Sequence, residues 1–200
     1  MLFKKQKSVW FTHIPRCAGR SIQHLFVKLN GYKKILGTKK LYKGVEKMHM
    51  HLNYMLELDE FNNNKKFAVV RNPIGRTISL MQGDFNVNCN LNKKLILENP
   101  NIFKVYLEEA FIYRGTKSNW FRHQSDFLNK DTYIWKYEKG FNKPFFNFLK
   151  KKLNIDLPNQ KMKHVESMPV DRKNVFTLSK EHLKIIREHY KKDFELLKYK

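Results

Sequence analysis

Cysteine is nearly absent from this chain. Cys17 and Cys89 are the only two in 200 residues, too few and too far apart for the disulfide framework of a small secreted domain. A reducing, cytoplasmic compartment is the expected home. Long apolar runs are missing as well. The stretch after the basic N-terminus covers residues 9–14 and is stopped by Pro15, too short for a signal-peptide core or a bilayer span. No membrane span is expected within the chain, and a lumenal location would need an anchor outside it. Internal repeats, Pro/Ser-rich linkers and low-complexity tracts are lacking beyond short Lys or Asn runs, so nothing marks a domain boundary. Residues 1–200, with a mass of 24.2 kDa, are therefore read as one domain, large enough to bury a core without disulfides or a metal.

Acidic residues are also scarce. Forty Lys and Arg face 18 Asp and Glu, for a formal charge of +22 and a pI near 9.9. Such an excess favours anionic partners: nucleic acid, nucleotide, acidic glycan or an acidic surface. Charge does not choose among them, and turns such as residues 62–66 (Asn-Asn-Asn-Lys-Lys) show lysine and asparagine used as general surface filling.

What is present alternates between two periods. Residues 9–14 (Val-Trp-Phe-Thr-His-Ile) read as a strand. A turn follows, then a helical pattern carrying Ile22, Leu25, Phe26 and Leu29 before Gly31. The unit recurs at residues 67–70 (Phe-Ala-Val-Val), an apolar run suited to a parallel strand covered on both faces, followed by Asn72 as a helix cap, Pro73 as first helical residue and a helix through Leu80. Helices are expected over residues 101–114, 144–153 and 179–197, and a third strand over residues 132–137. This order predicts an α/β fold with a central parallel sheet flanked by helices.

Two strand-to-helix corners carry charge and small residues together. In parallel sheets ligands sit beyond the carboxyl ends of the strands, where helix N-termini direct unpaired N–H groups outward. In the first corner Ala18 and Gly19 leave room for the backbone to wrap a phosphate, Arg16 and Arg20 supply charge, and Ser21 supplies a hydroxyl. Gly19-Arg20-Ser21 stands where a Walker loop has Gly-Lys-Ser, but Ile14 occupies the first glycine position, which demotes an ATPase or kinase. In the second corner Arg71 stands at the strand end and Ser79 about two turns into the helix, roughly 9 to 10 Å along its axis. The plainer reading of the first corner alone is a turn with solvated arginines, and of the second a structural arginine capping the sheet edge with a serine facing a neighbouring helix.

Together, residues 13–19 (His-Ile-Pro-Arg-Cys-Ala-Gly) and Phe67 to Asn72 with Pro73, Arg76 and Ser79 resemble the loops of PAPS-dependent sulfotransferases, especially the carbohydrate and bacterial or viral type. The resemblance implies a P-loop-NTPase-like three-layer sandwich and 3′-phosphoadenosine 5′-phosphosulfate (PAPS) as co-substrate, leaving 3′,5′-adenosine bisphosphate as product. It implies that Arg16, Cys17, Ala18, Gly19, Arg20 and Ser21 hold the 5′-phosphosulfate, and that Arg71 and Ser79 hold the 3′-phosphate. Arg16 stands where the family commonly has lysine, and Arg20 where it has threonine. Arginine keeps the charge in a bulkier fork, so an inactive donor-binding relative stays open. Weaker likenesses run through residues 124–128, 133–138 and the terminal helix with Tyr190, Asp193 and Tyr199.

A base is needed to take the acceptor's proton, and an imidazole suits that role. His51 is the candidate, because similar enzymes often carry a histidine before a short helix about twenty residues upstream of the second corner; here Asn53 would cap that helix. His49 is the close rival. His49 and His51, two residues apart without a Cys or carboxylate cluster, suggest no metal site. Residues 83–118 are expected to build the acceptor side, where an anionic saccharide fits the basic character. A nucleic-acid-binding protein is the rival from another class, with Trp10, Trp120 and Trp135 as stacking candidates. Trp10 and Trp135 fall in apolar strand patterns, so no nucleic-acid partner is expected.

Overall fold

The parallel pair that the two corners require forms between β2 (Ser8–Thr12) and β6 (Lys66–Val70). Trp10 lies opposite Lys66, Phe11 opposite Phe67 and Thr12 opposite Ala68. A computed structural model of the chain describes residues 1–34, 41–42, 45–46, 49–88, 90–114, 119–159, 162 and 176–200. Cys89 and residues 115–118 of the expected acceptor segment lie outside the described residues. β7 (Thr132–Lys136) pairs parallel with the other side of β6, from Lys66 opposite Thr132 to Val70 opposite Lys136. All five residues of β6 are buried, Lys66 included, and the apolar run of residues 67–70 has the burial expected of a central parallel strand.

The central strands are parallel as expected, but antiparallel strands extend the sheet at one edge and make it mixed. The basic N-terminus contains β1 (Leu2–Lys4), antiparallel to β2, and β3 (Lys33–Lys34) is antiparallel to β1, giving the order β3-β1-β2-β6-β7. The reason is length: residues 5–7 form a reversal too short for the crossover that a parallel neighbour needs. Leu2 and Phe3 are buried, and Phe3 stacks on Phe26 at 4.6 Å between ring centroids. A small separate hairpin joins β4 (Leu41–Tyr42) to β5 (Val45–Glu46).

Helices flank the sheet. α1 (Gly19–Gln23) continues in wider turns to residue 29, burying Ile22, Leu25 and Phe26. Leu29 is 43% exposed because the helix ends there. α2 (Leu52–Met55) and α3 (Asp59–Asn62) are single turns. α4 (Pro73–Val87) runs seven residues past Leu80, with the Asn72 carboxamide oxygen accepting from the Ile74 N–H at 3.0 Å and Pro73 in its first turn. α5 (Lys93–Glu98) and α6 (Pro100–Glu109) follow, each capped by an asparagine, Asn92 and Asn99. α7 (Lys143–Phe148) continues to residue 153.

The expected terminal helix is two, α8 (Lys180–His189) and α9 (Lys191–Leu197). They part at the fully buried Tyr190, whose backbone leaves the helical region. Two apolar clusters result, one around the sheet with Phe11, Phe26 and Phe67, and one joining α4, α6 and α8 through Leu80, Phe103 and Ile186. No described helix is long and apolar enough to cross a membrane. Because β2 and β6 run side by side in the same direction, the loops at residues 13–18 and 71–72 leave the sheet at one edge.

Candidate functional site

The first loop is bent by two residues in left-handed backbone, Arg16 at φ 64° and Ala18 at φ 61°. Such alternation curls a chain so that successive N–H groups face a common hollow. The Cys17 N–H closes a turn on the Ile14 carbonyl at 3.3 Å, and the Ile22 N–H bonds the Ala18 carbonyl at 3.0 Å. The N–H groups of Gly19, Arg20 and Ser21 then fall in the first helical turn, which has no preceding carbonyl to satisfy them within the helix. Gly19 has a steric reason beyond the loop itself. A Cβ there would sit 1.7 Å from the His13 ring nitrogen Nε2, so the imidazole covers the glycine directly.

Cys17 points the other way. Its thiol is buried, donates to the Gln124 side-chain oxygen at 3.4 Å, lies 3.6 Å from the Pro15 carbonyl, and has its pKa pushed by burial up to about 12. Ser21 is buried and Arg20 exposed. Arg16 lies across α4: its Nε donates to the Ser79 hydroxyl at 3.0 Å, and one turn on, at Gly83, a Cβ would come within 3.5 Å of its Nη1 and 3.3 Å of the Trp120 ring. Ser79, Gly83 and Trp120 therefore form a slot for the guanidinium. Burial, with Arg71 and Arg20 adding repulsion, lowers the Arg16 pKa from its ordinary value.

The second corner meets the first. The Arg71 guanidinium lies over the Tyr137 ring at 4.8 Å, and its Nη1 donates to the Arg16 carbonyl over a long 3.5 Å. Ser79, expected to converge with Arg71, bonds Arg16 instead, so Ser79, Arg16 and Arg71 form one chain of contacts. Arg76 braces the junction from beneath. Fully buried, it donates to the Pro15 carbonyl at 3.1 Å and to the Trp120 carbonyl at 2.8 Å. Glu138 accepts from the Asn72 N–H at 2.6 Å and from the Tyr199 hydroxyl at 2.9 Å.

The two candidate bases occupy different surroundings. His49 is buried edge-on to His13, with centroids 4.8 Å apart, and faces Trp120 at 6.5 Å; its carbonyl accepts from the Asn119 carboxamide at 2.8 Å. His51 packs on Tyr54 at 4.6 Å. Burial lowers its pKa, Arg122 lowers it further, and Asp126 opposes. His51 itself occupies the cap position of α2, which places Asn53 inside the first turn and not at the cap. Burial, with His49 as the next cause, holds His13 well below the ordinary imidazole value, and its Nδ1 has no hydrogen-bond partner among the described residues. No group of three His, Cys, Asp or Glu side chains that could hold a metal is found among the described residues.

Sequence reasoning missed several residues of this site. The Gln124 side chain accepts from the Arg71 N–H at 2.9 Å and donates to the Arg71 carbonyl at 2.7 Å. Behind it the buried Asp193 carboxylate accepts the N–H groups of Gln124 at 2.7 Å and Ser125 at 2.9 Å. Both stood in faintly family-like stretches, but only their contacts reveal what they hold. Gly83 and Trp120 carried no sequence signal for their place here, because each acts through a neighbour distant along the chain, and His13 stood in the first motif without a sign that its ring covers Gly19.

Compared with known proteins, residues 1–200 match a family model described as the sulfotransferase family. No curated protein and no solved structure matches the chain.

Proposed function

The chain belongs to the sulfotransferase family, and from that premise we propose that it moves a sulfuryl group from PAPS to a hydroxyl or amine of an acceptor, with an anionic saccharide as the acceptor class. One observation carries this reading: the two arginine corners touch, Arg16 through Ser79 and Arg71 through the Arg16 carbonyl. A donor with phosphate at both ends of one nucleoside needs two cationic seats at a short, fixed separation. An ordinary nucleotide needs one.

In this reading the loop of residues 16–21 is a P-loop-like cradle for the 5′ end. Gly19, Arg20 and Ser21 offer N–H groups, Cys17 and Ala18 offer backbone shape, and Arg16 and Arg20 supply charge. Arg71 and Ser79 take the 3′-phosphate. The donor supplies a sulfuryl group on a good leaving phosphate; the acceptor oxygen or nitrogen bonds to sulfur as the bond from sulfur to the bridging oxygen breaks. Arg16 neutralises the charge that grows on that oxygen, while the fold aligns the partners.

The acceptor's proton passes to an imidazole. His51, kept neutral by burial near pH 7, is suited to receive it. A specific contact favours His49 beside it: its ring abuts His13, which covers Gly19 in the cradle. The nucleic-acid alternative loses two of its three stacking rings, since Trp10 and Trp135 are buried.

Calorimetric titration tests the donor half. Adenosine 3′,5′-bisphosphate is expected to bind more tightly than 5′-AMP or an oligonucleotide, and oligonucleotide binding at least as tight overturns the proposal. A labelled-sulfate transfer screen over acidic glycans and small alcohols tests the acceptor. With donor binding intact, His51→Ala or His49→Ala identifies the base by its lost rate. Full rate in both variants removes the imidazole from the mechanism.

A further inference from the structure

The two corners leave neighbouring strands, and beyond the strand ends the hydrogen bonds that join them among the described residues are made by side chains. The Arg71 to Arg16 bond is long at 3.5 Å and uses a guanidinium that is itself assigned to the ligand. Arg16 to Ser79 at 3.0 Å and Arg76 to the Pro15 carbonyl at 3.1 Å tie the loop to α4, whereas Gln124 ties it to the backbone of Arg71 itself. Its carboxamide closes a two-point bond on the Arg71 backbone, 2.9 Å to the N–H and 2.7 Å to the carbonyl. The same side-chain oxygen accepts from the Cys17 thiol at 3.4 Å. One fully buried side chain therefore grips the strand end of the second corner and touches the centre of the first loop.

The carboxamide cannot drift, because its own backbone is clamped. Asp193, fully buried on α9, accepts the successive N–H groups of Gln124 and Ser125. Such charge-assisted bonds are roughly twice as strong as neutral ones. The hold thus runs from the terminal helix through Gln124 to both anion seats, and neither Gln124 nor Asp193 needs to touch a ligand.

We infer that Gln124 is a positioning residue that sets the separation between the loop at Arg16 and the corner at Arg71, and so sets the preference for a nucleotide carrying two phosphates over one carrying a single phosphate. This rests on the donor reading above. Arg71 and the loop each attract an anion alone. Only at the right spacing do both engage one molecule, and that spacing is what a second phosphate reports.

The test measures affinity for adenosine 3′,5′-bisphosphate and for 5′-AMP by calorimetry, in the full chain and in Gln124→Leu and Gln124→Glu, below the melting temperature of each. The leucine variant removes both bonds to Arg71. The glutamate variant keeps the size and the acceptor but loses the donor, so it carries the test if the leucine variant unfolds. The preference for the bisphosphate is expected to fall by roughly tenfold in the leucine variant, the scale of one to two net hydrogen bonds, and by less in the glutamate variant. Donor KM rises while acceptor KM holds, a split that general destabilisation does not produce. A wild-type chain with no preference overturns the donor reading, and this inference with it. A wild-type preference that persists unchanged in folded Gln124→Leu or Gln124→Glu overturns the role of Gln124 and leaves the donor reading standing.

Discussion

Replacing Gly19 by alanine puts a methyl group inside the His13 ring, which makes it the sharpest test of how the first loop is held. The added Cβ would lie 1.7 Å from Nε2, 1.9 Å from Cδ2 and 2.4 Å from Cε1, whereas ordinary contact begins at 3.4 Å. The ring must therefore retreat by about 1.7 Å, or the loop must lift by as much. Neither movement is easy. Phe11 stacks on the imidazole at 5.8 Å, His49 meets it edge-on at 4.8 Å, and the residue is buried. Overpacking of a filled site costs about 1 to 3 kcal/mol, and with both flanks occupied the upper end, about 3 kcal/mol, is expected. With a urea slope of about 2 kcal/mol/M, the unfolding midpoint falls by roughly 1.5 M.

His13→Ala supplies the control. It removes the ring that the methyl group strikes, so in that background Gly19→Ala should cost far less, leaving a coupling of about 2 kcal/mol in the double-mutant cycle. Circular dichroism in urea on the four proteins provides the cycle. An unchanged midpoint in Gly19→Ala, or the same cost with and without the His13 ring, refutes the argument.

Ala18 sits at φ 61°, where an L-residue is strained and glycine is not, so Ala18→Gly is expected to stabilise the fold by about 0.5 to 1 kcal/mol. A urea midpoint at or below wild type counts against that strain. Arg71→Ala should erase most of the preference for adenosine 3′,5′-bisphosphate over 5′-AMP, by roughly ten- to a hundredfold for a lost charged hydrogen bond, as read by calorimetry. An intact preference moves the 3′-phosphate seat elsewhere. Burial, with His123 second, holds His189 at about 4 against the usual 6.5. The unfolded chain therefore takes up this proton first on acidification. The contribution is complete above about pH 6.5 and is lost as the pH falls toward 4, by up to about 3 kcal/mol. His189 packs against His123, Phe111 and Tyr190, with Asp193 opposing the shift. His189→Phe should flatten the acid limb of the stability profile measured in urea, and an unaltered limb sinks the assignment.

Local pattern determined the elements around the site. The apolar run before Arg71 has one stable use, a strand covered on both faces, and β6 is that strand. Asn72-Pro73 starts a helix from its own chemistry, because the cap and the fixed φ act within two residues. Trp10 and Trp135 fall in the core for a similar reason, each lying within a strand pattern that faces inward. The antiparallel β1 escaped notice because a three-residue strand that ends in a lysine carries too little periodicity to stand out, and its pairing with β2 supplies what its pattern lacks.

Only the tertiary structure decided which residues act on one another. Ser79 could be counted two turns into a helix, but whether it meets Arg16 or Arg71 depends on how α4 lies across the loop. The fold puts it on Arg16. The same holds for His13 over Gly19, and for Gln124 between Cys17 and Arg71, contacts that span up to 107 positions of the chain. Propensity and capping are short-range forces and can be read along the chain. The site depends on separations between strand ends, which packing alone establishes.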